Sequence, residues 1–449
     1  MTDLLLDVRL DGYDAPIGSL RRDDRGALHF AYTSDYVARA DAVRLSLSLP
    51  IAEAPYGDAI ARSFFDNLLQ ERDGALNQVM ARETLSRDDI AGLLWHLGKD
   101  CAGALSVLPA GAPPVKVPGD LATDYEPLSD QQLTEIVSAL RDRRRLPDGT
   151  SDPSPLAGVQ SKIALTQLDN GSFAQPRSGS GAPTTHILKV PDRDHPRDAR
   201  HEAAALDLSR ACGMETAYAR VLTVGDIDTL LVSRFDRARD ERGRVIRLHQ
   251  EDFAQALGLP AALKYQRKGT TTRRFDAGRI GAILSAISEP VVAREAFIRW
   301  VLFDLFTGNV DNHAKNFALL HLGQHIRLAP RYDLLPTRLD PDLTDELAFD
   351  IGRARRLDAI TADDLQQFLA TLGVATRGAQ RRLLQQHAGA IATELAAAFD
   401  ELARKGMKGF ADLIARNMRH LLHVIGVAVP ETAQSRDAFV TRGGGWLGS

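Results

Sequence analysis

Asp311 and Asn316 stand five positions apart in the run Asp311-Asn312-His313-Ala314-Lys315-Asn316, and Asp333 follows Asn316 by seventeen residues in Arg331-Tyr332-Asp333. Phosphoryl transfer from ATP uses such a trio: one carboxylate orients the attacking hydroxyl, and an amide oxygen and a second carboxylate hold Mg²⁺ against the phosphates. Asp-x-x-x-x-Asn is the spacing of a kinase catalytic loop, although the residues ahead of it are not the usual His-Arg. Asp-Asn and Asn-His pairs also occur in plain turns for local hydrogen-bonding reasons. The later acid tips the balance. A loop, a short strand-like run from Gln324 to Leu328 and then Asp333 is a layout for two metal ligands from neighbouring loops.

A nucleotide side is needed to match. Lys189 lies inside the apolar strand Thr185–Val190, where an ammonium is costly unless paired. It suits the phosphates of ATP, with Glu202, thirteen residues on and early in the next helix, as partner; the alternative is an edge-strand lysine reaching for water. Gly158-Val159-Gln160-Ser161-Lys162 precedes a strand and stands where a phosphate-covering loop would, though a lone glycine is far weaker than a Walker motif and also fits a turn. Ser233, Arg234 and Phe235 are placed as a hinge meeting adenine through backbone, with Phe235 equally suited to a core. Asp236 follows, within reach of a ribose. His313 is assigned to orienting the catalytic loop, and Lys315 to neutralising charge on the transferring group. His186, His249, His313 and His321 fit no zinc spacing, and neither cysteine, Cys101 or Cys212, supports one.

These residues require strands for the nucleotide and helices for the acceptor side, and the pattern supplies them in that order. Leu4–Leu10, Ile17–Leu20 and Ala27–Tyr32 read as strands, the last two as a hairpin about Asp23-Asp24-Arg25-Gly26. The alternation Leu45–Leu49 before Pro50 reads as another strand. Helical faces follow at Ile60–Leu69 and Ile90–Leu97, and Ala104–Leu108 returns to strand character. Residues 110–120 are expected to be a linker, and Ser129 with Gln132 a capping box opening a helix. The basic run Arg141–Arg145 reads as a solvated helix end. Residues 171–185, rich in Gly, Ser and Pro, are expected to form a mobile loop. A helix over 199–212 stops at Gly213, Leu230–Phe235 is a strand, and helices dominate from Gln250. Domains are accordingly placed at 1–112, 125–248 and 249–440.

The chain has 449 residues, 44% hydrophobic and 25% charged, with a net charge of −4, which gives no global reason to expect nucleic-acid binding. Two cysteines without metal-type spacing suit a reducing cytoplasm. The first ten residues do not read as a signal peptide, and no apolar run approaches a membrane span.

Taken together, Leu45–Pro50 and Arg62–Leu69, then Leu156–Leu165, Pro183–Pro191, Ser233–Arg237, Gln250–Pro260, Asp311–Phe317 and Tyr332-Asp333 resemble the HipA family, the serine/threonine kinase toxins of bacterial type II toxin–antitoxin modules. The resemblance spans nearly the whole chain. It implies an α+β fold of the bilobal protein-kinase and lipid-kinase kind, with an extra N-terminal α/β domain and a mostly helical C-terminal lobe. It implies Asp311 as catalytic base, Asn316 and Asp333 as Mg²⁺ ligands, and Lys189 on the phosphates of ATP. It also implies a small helix-turn-helix antitoxin of the HipB kind, contact with operator DNA mainly through that partner, and an aminoacyl-tRNA synthetase as protein substrate, glutamyl-tRNA synthetase foremost. One position departs from the pattern. The family often carries an autophosphorylated serine three residues before the loop glycine, and Pro155 stands there in this chain. A small-molecule kinase with the same loop and an inactive co-repressor bound to an antitoxin are the competing readings.

Overall fold

The computed structural model describes residues 3–69, 74–147, 150 and 160–433. Gly158, Pro155 and most of the expected phosphate loop lie outside the described residues. Contacts divide the chain into two units: residues 1–200, 217–262 and 318–329 form the first, and residues 201–216, 263–317 and 330–449 the second.

The two larger sheets of the first unit have separate cores. Four antiparallel strands, β1 (Leu4–Leu10), β2 (Gly18–Arg22), β3 (Leu28–Tyr32) and β4 (Leu105–Pro109), run in the order β3-β2-β1-β4. Their alternation buries Leu6, Val8, Leu20 and Phe30 against Phe64, Phe65, Leu93 and Leu94 of two helices, Asp58–Asp66 and Ile90–Leu97. The second sheet joins β5 (Tyr125–Pro127), β6 (Lys162–Gln167), β7 (Phe173–Pro176), β8 (His186–Lys189), β9 (Ala219–Val224) and β10 (Ile227–Ser233) in the order β5-β7-β6-β8-β10-β9. The capping box forms as expected: Ser129 accepts from the Gln132 amide, and the helix runs from Asp130 to Arg143. Its buried face, Leu133, Ile136, Val137 and Leu140, packs with Ile163, Leu165, Leu188 and Leu231 of the sheet.

Three expectations are corrected. Leu45–Pro50 is no strand but a tight turn with an isolated Ser46–Leu49 bridge. Glu251 captures it, accepting from the Ser46 hydroxyl and, at 3.0 Å, from the Leu47 amide, while His321 lies 2.9 Å from the same carboxylate. Side-chain anchors here override a strand-like alternation. Residues 171–185 contain β7, because Gly171, at a φ of 86°, closes a hairpin that pairs Phe173 and Ala174 with Gln167 and Thr166. Residues 110–120 are pinned rather than a loose linker. Gly119 bridges to Val245, and Lys116 reaches the buried Asp100 at 3.0 Å.

Two smaller sheets also belong to the first unit, and of their strands only the run Gln324 to Leu328 was expected to be strand-like. β11 (Arg237–Arg239) pairs with β12 (Val245–Arg247), and β13 (His249–Asp252), β14 (Ala318–Leu322) and β15 (His325–Leu328) form a three-stranded sheet of the first unit. The second unit is largely helical. The helix Pro290–Thr307 packs with Arg377–Ala397 and Lys408–Ile425, and Phe275, Phe297, Trp300, Phe317 and Phe349 form an aromatic core with Trp300 and Phe317 stacked at 6.2 Å. No helix among the described residues is long and apolar enough to cross a membrane.

Candidate active site

In the second unit, the apolar run around Trp300 is the end of the helix Pro290–Thr307. Gly308 stops it in the left-handed region at a φ of 74°, where a Cβ would come within 2.9 Å of Leu413. The turn that follows is organised by a residue inside the helix. Asp304 is fully buried and accepts from the Asn309 and Asn312 amides, each at 3.2 Å, and from the Arg331 guanidinium. Arg331 also lies 5.2 Å from the Phe303 ring centroid and 5.7 Å from that of Trp300. One carboxylate therefore ties the loop before and after Asp311 to the segment that carries Asp333. The Tyr332 hydroxyl adds a second tie, donating to the Lys315 carbonyl at 2.7 Å.

This scaffold brings the sequence-derived trio together. Within the loop, the His313 amide donates to the Asp311 carbonyl at 2.8 Å and the Asn316 amide donates to the His313 carbonyl at 2.9 Å. The Asn316 side-chain nitrogen donates to the Asp311 carbonyl at 2.9 Å, so its amide oxygen points to another use. Asp333 takes up the left-handed backbone, at a φ of 58°. Burial pushes the Asp311 carboxyl above the ordinary carboxylate range, and the negative charge of Asp333 pushes it the same way. A hydrogen bond from Tyr265, 2.6 Å from Oδ1, opposes that rise, as do the charges of Lys264 and Arg267. A partly buried carboxylate with an elevated pKa, held by the Tyr265 hydroxyl, is chemically suited to accepting a proton. The His313 ring sits 5.0 Å from Tyr265, edge to face, consistent with a supporting place in the loop. Lys315 is buried.

Tyr265 makes a testable contribution. Tyr265→Phe removes a donor that favours the carboxylate, so the Asp311 pKa rises further. Because the working base is the ionised form, phosphotransfer should lose activity at a higher pH than in the unaltered protein. The acid limb of the pH–rate profile is expected to move upward, with the loss of rate greatest on the acid side. An unmoved limb would show that the hydroxyl does not govern Asp311.

Mg²⁺ takes oxygen ligands and is usually held by one or two carboxylates together with substrate phosphates and water. The Asn316 amide oxygen and the Asp333 carboxylate fit that donor set, and the like charges of Asp311 and Asp333 near one another favour a cation beside them. Among the described residues no group of three or more His, Cys, Asp or Glu could hold a metal by itself.

The nucleotide-side residues belong mostly to the first unit. Lys162 and Lys189 face each other as direct partners across β6 and β8, and Lys189 also pairs with Leu230 of β10. Directly opposed residues of antiparallel strands share a face, so the two ammonium groups lie on one side of the sheet. Lys162, expected at the end of the phosphate loop, thus stands opposite Lys189 on the sheet. The Ser161 carbonyl accepts from the Val190 amide at 2.8 Å, and Gln160 precedes it in a bend. Glu202 lies on the helix Asp198–Ala211 and is buried. Ser233 ends β10, where its hydroxyl lies 3.1 Å from His186 Nε2, while Thr185 lies 2.7 Å from Nδ1. Burial pushes this imidazole down to about 4, so it stays neutral near physiological pH and links the two hydroxyls. Phe235 is half-buried.

Arg234 and Asp236 are placed otherwise than expected. Asp236 is buried, and its two oxygens take the Arg234 guanidinium at 3.0 and 2.9 Å. Oδ2 also accepts from the Gly103 amide at 2.9 Å and lies 3.0 Å from Arg237. These contacts consume the carboxylate that a ribose would need, and they join the two sheets of the first unit. The cluster continues through Asp100, which lies 3.1 Å from Arg247 and 3.0 Å from Lys116. Burial alone would raise the Asp236 carboxyl, but the Arg234 and Arg237 charges overcome it and hold the group well below the usual carboxylate range. A depressed folded-state pKa contributes stability above the unfolded value of 3.8, and that contribution is lost as pH falls below it. Asp236→Asn should therefore cost about 2 kcal/mol at neutral pH and flatten the acid loss of stability, read from urea midpoints between pH 7 and pH 3. A parallel offset at every pH would contradict this account.

Comparison with known proteins places these features in a class and then in a family. The chain aligns with a solved complex of the HipA toxin–antitoxin system of Shewanella oneidensis MR-1 with HipB and operator DNA, at a TM-score of 0.76 and 25% identity over 96% of this chain and 99% of that one. The fold is thus of the α+β kinase-like class with an additional N-terminal domain. Residues 6–108 match the HipA N-terminal domain, and residues 154–402 match the HipA-like C-terminal domain. The serine/threonine-protein kinase toxin HipA of Shewanella oneidensis is 30% identical over 80% of this chain and 82% of its own length. The Sinorhizobium fredii protein Y4mE is 36% identical over 85% of this chain and 89% of its own. The chain belongs to the HipA family of serine/threonine kinase toxins.

Proposed function

We propose that this protein is an ATP- and Mg²⁺-dependent serine/threonine protein kinase and the toxin of a HipBA-like module. The observation that supports the reading is the meeting of Asp311, Asn316 and Asp333 in one unit, with the charge of Asp333 felt at a partly buried Asp311. In this reading Asp311 orients the acceptor hydroxyl and takes its proton. Asn316 and Asp333 would hold Mg²⁺, whose chemistry there would be to offset the negative charge of the phosphates. Lys189, supported by Glu202, and Lys162 bind the ATP phosphates. Gln160, Ser161 and the loop at Gly158 cover them, and the Ser233–Phe235 backbone meets adenine. Asp311 then returns its proton to solvent as product departs.

The family and the HipB- and operator-containing relative support a HipB-like helix-turn-helix partner, through which the chain reaches DNA, and a cytoplasmic place of action. A translation component, such as an aminoacyl-tRNA synthetase with glutamyl-tRNA synthetase first, is the proposed acceptor. Pro155 excludes control by a hydroxyl at that position. The deciding experiment is a phosphoproteome of cells expressing the protein beside cells expressing Asp311→Ala. New serine or threonine phosphosites confined to the former support the assignment, and identical phosphoproteomes reject it.

A further inference from the structure

Beside Tyr265 the second unit opens a cavity of about 360 Å³ that the trio does not use. Its wall begins on the segment Leu263–Arg274, which carries Lys264, Arg267, Lys268, Arg273 and Arg274 and no acidic residue. Arg267 and Arg274 line the cavity together with Thr270, Thr271 and Arg355, the last from the strand Ala354–Arg356. Gly269 allows the segment to fold back on itself, since a Cβ there would come within 2.3 Å of the Arg274 Cβ. The Arg273 amide then donates to the Thr270 hydroxyl at 3.1 Å, closing a tight turn.

Two carboxylates also line the cavity, and both have protein partners. Gln266 donates to Asp350 Oδ2 at 2.6 Å and accepts from the Asp350 amide at 2.9 Å. Glu346 approaches Arg267 at 3.7 Å, beyond hydrogen-bonding distance, so this pair is loose and an incoming anion can compete for the guanidinium. Guanidinium groups and hydroxyls converging on one concavity are the donor set for a carboxylate or a phosphate.

The cavity is close to the reacting position. The Arg267 guanidinium lies 4.2 Å from the centre of the Tyr265 ring, and the hydroxyl of that ring lies 2.6 Å from Asp311. Arg267 and the Asp311 carboxylate are thus separated by on the order of 10 Å, which an extended peptide crosses in about three residues. We propose that this cavity receives an anionic side chain of the protein acceptor, a carboxylate or a phosphate, about three residues from the hydroxyl presented to Asp311. The inference rests on the kinase reading and adds to it a rule for choosing the acceptor: a serine or threonine with a negative neighbour at that distance.

Fluorescein-labelled, serine-centred peptides carrying Glu, phosphoserine, Ala or Lys three positions to either side test this by anisotropy on the full chain. The Glu or phosphoserine peptide should bind about tenfold more tightly than the Ala peptide. The tighter of the two anions identifies the group preferred. Arg267→Ala should remove the preference, and Arg355→Glu should turn it toward Lys, a gain that a misfolded protein cannot give. Equal binding of the Glu, Ala and Lys peptides overturns the proposal, as does an anion preference untouched by Arg355→Glu or a preference for RNA over every peptide. Phosphate transfer by the unaltered protein is measured alongside. Anion preference without transfer would reject the kinase reading and leave the cavity assigned, whereas transfer without preference would do the reverse.

Discussion

Asp311→Asn should abolish phosphate transfer to protein, by roughly 10²–10⁴-fold, while leaving nucleotide binding in place. The side chain keeps its size and still receives the Tyr265 hydroxyl, 2.6 Å from Oδ1 in the unaltered protein, but an amide cannot take a proton. Asp333→Asn should behave differently. Its carboxylate is assigned to the metal, so transfer should fall and partly return as Mg²⁺ is raised. The two variants also act on each other's surroundings, because the charge of Asp333 helps to raise the Asp311 pKa. Removing it should shift the acid limb of the rate profile downward, opposite to the Tyr265→Phe effect. Labelling from radioactive ATP over a Mg²⁺ series and a pH series distinguishes these roles. Full transfer by Asp311→Asn would remove that residue from the chemistry, and an unchanged Mg²⁺ requirement in Asp333→Asn would remove the other from the metal.

The second large effect concerns Arg331. Arg331→Ala should destabilise the second unit by about 4 kcal/mol, since it leaves the Asp304 carboxylate buried without its cation and vacates the space against Trp300 and Phe303. Arg331→Lys should recover little, because one ammonium does not reproduce a planar guanidinium against two rings. Thermal and urea unfolding of the full chain provide the measurement. The activity of Arg331→Ala should fall further than its folded fraction, because the Asp311 loop and the Asp333 segment lose their common anchor. A midpoint close to that of the unaltered protein would mean that Asp304 is not the organising group.

That Asp311, Asn316 and Asp333 come near one another was legible from residue type and spacing, both of which the sequence carries. The strand that carries Lys189 was legible as an apolar run closed by a proline, and it forms as β8. The anchor Asp304 left only a faint signal, an acid within the apolar run Trp300–Phe306, and Arg331 was quoted beside Asp333 without a role. Tyr265 left none: an isolated tyrosine in a basic segment says nothing of a carboxylate 46 positions away. Asp236 shows the opposite error. Its position after a strand suggested a ligand contact, but a carboxylate between Arg234 and Arg237 is already satisfied. In the fold, local patterns succeeded where local physics decides, as at the Ser129 cap and the Gly308 stop. They failed at Leu45–Pro50, where a distant glutamate selects the turn, and at β13 and β14, whose pairing joins segments about 70 residues apart.

The left-handed backbone at Asp333 also limits which substitutions can be reached there without cost. Asp and Asn tolerate that conformation better than other side chains, glycine adopts it freely, and β-branched residues resist it. A saturation library at this position should therefore separate into three groups. Asn and Gly should fold well and lack the ligand, Glu should keep a carboxylate on a disfavoured backbone, and Val, Ile and Thr should lose both. Catalytic silence with an intact fold is then a single substitution away, and the same chain could persist as a partner-binding protein after its chemistry had gone.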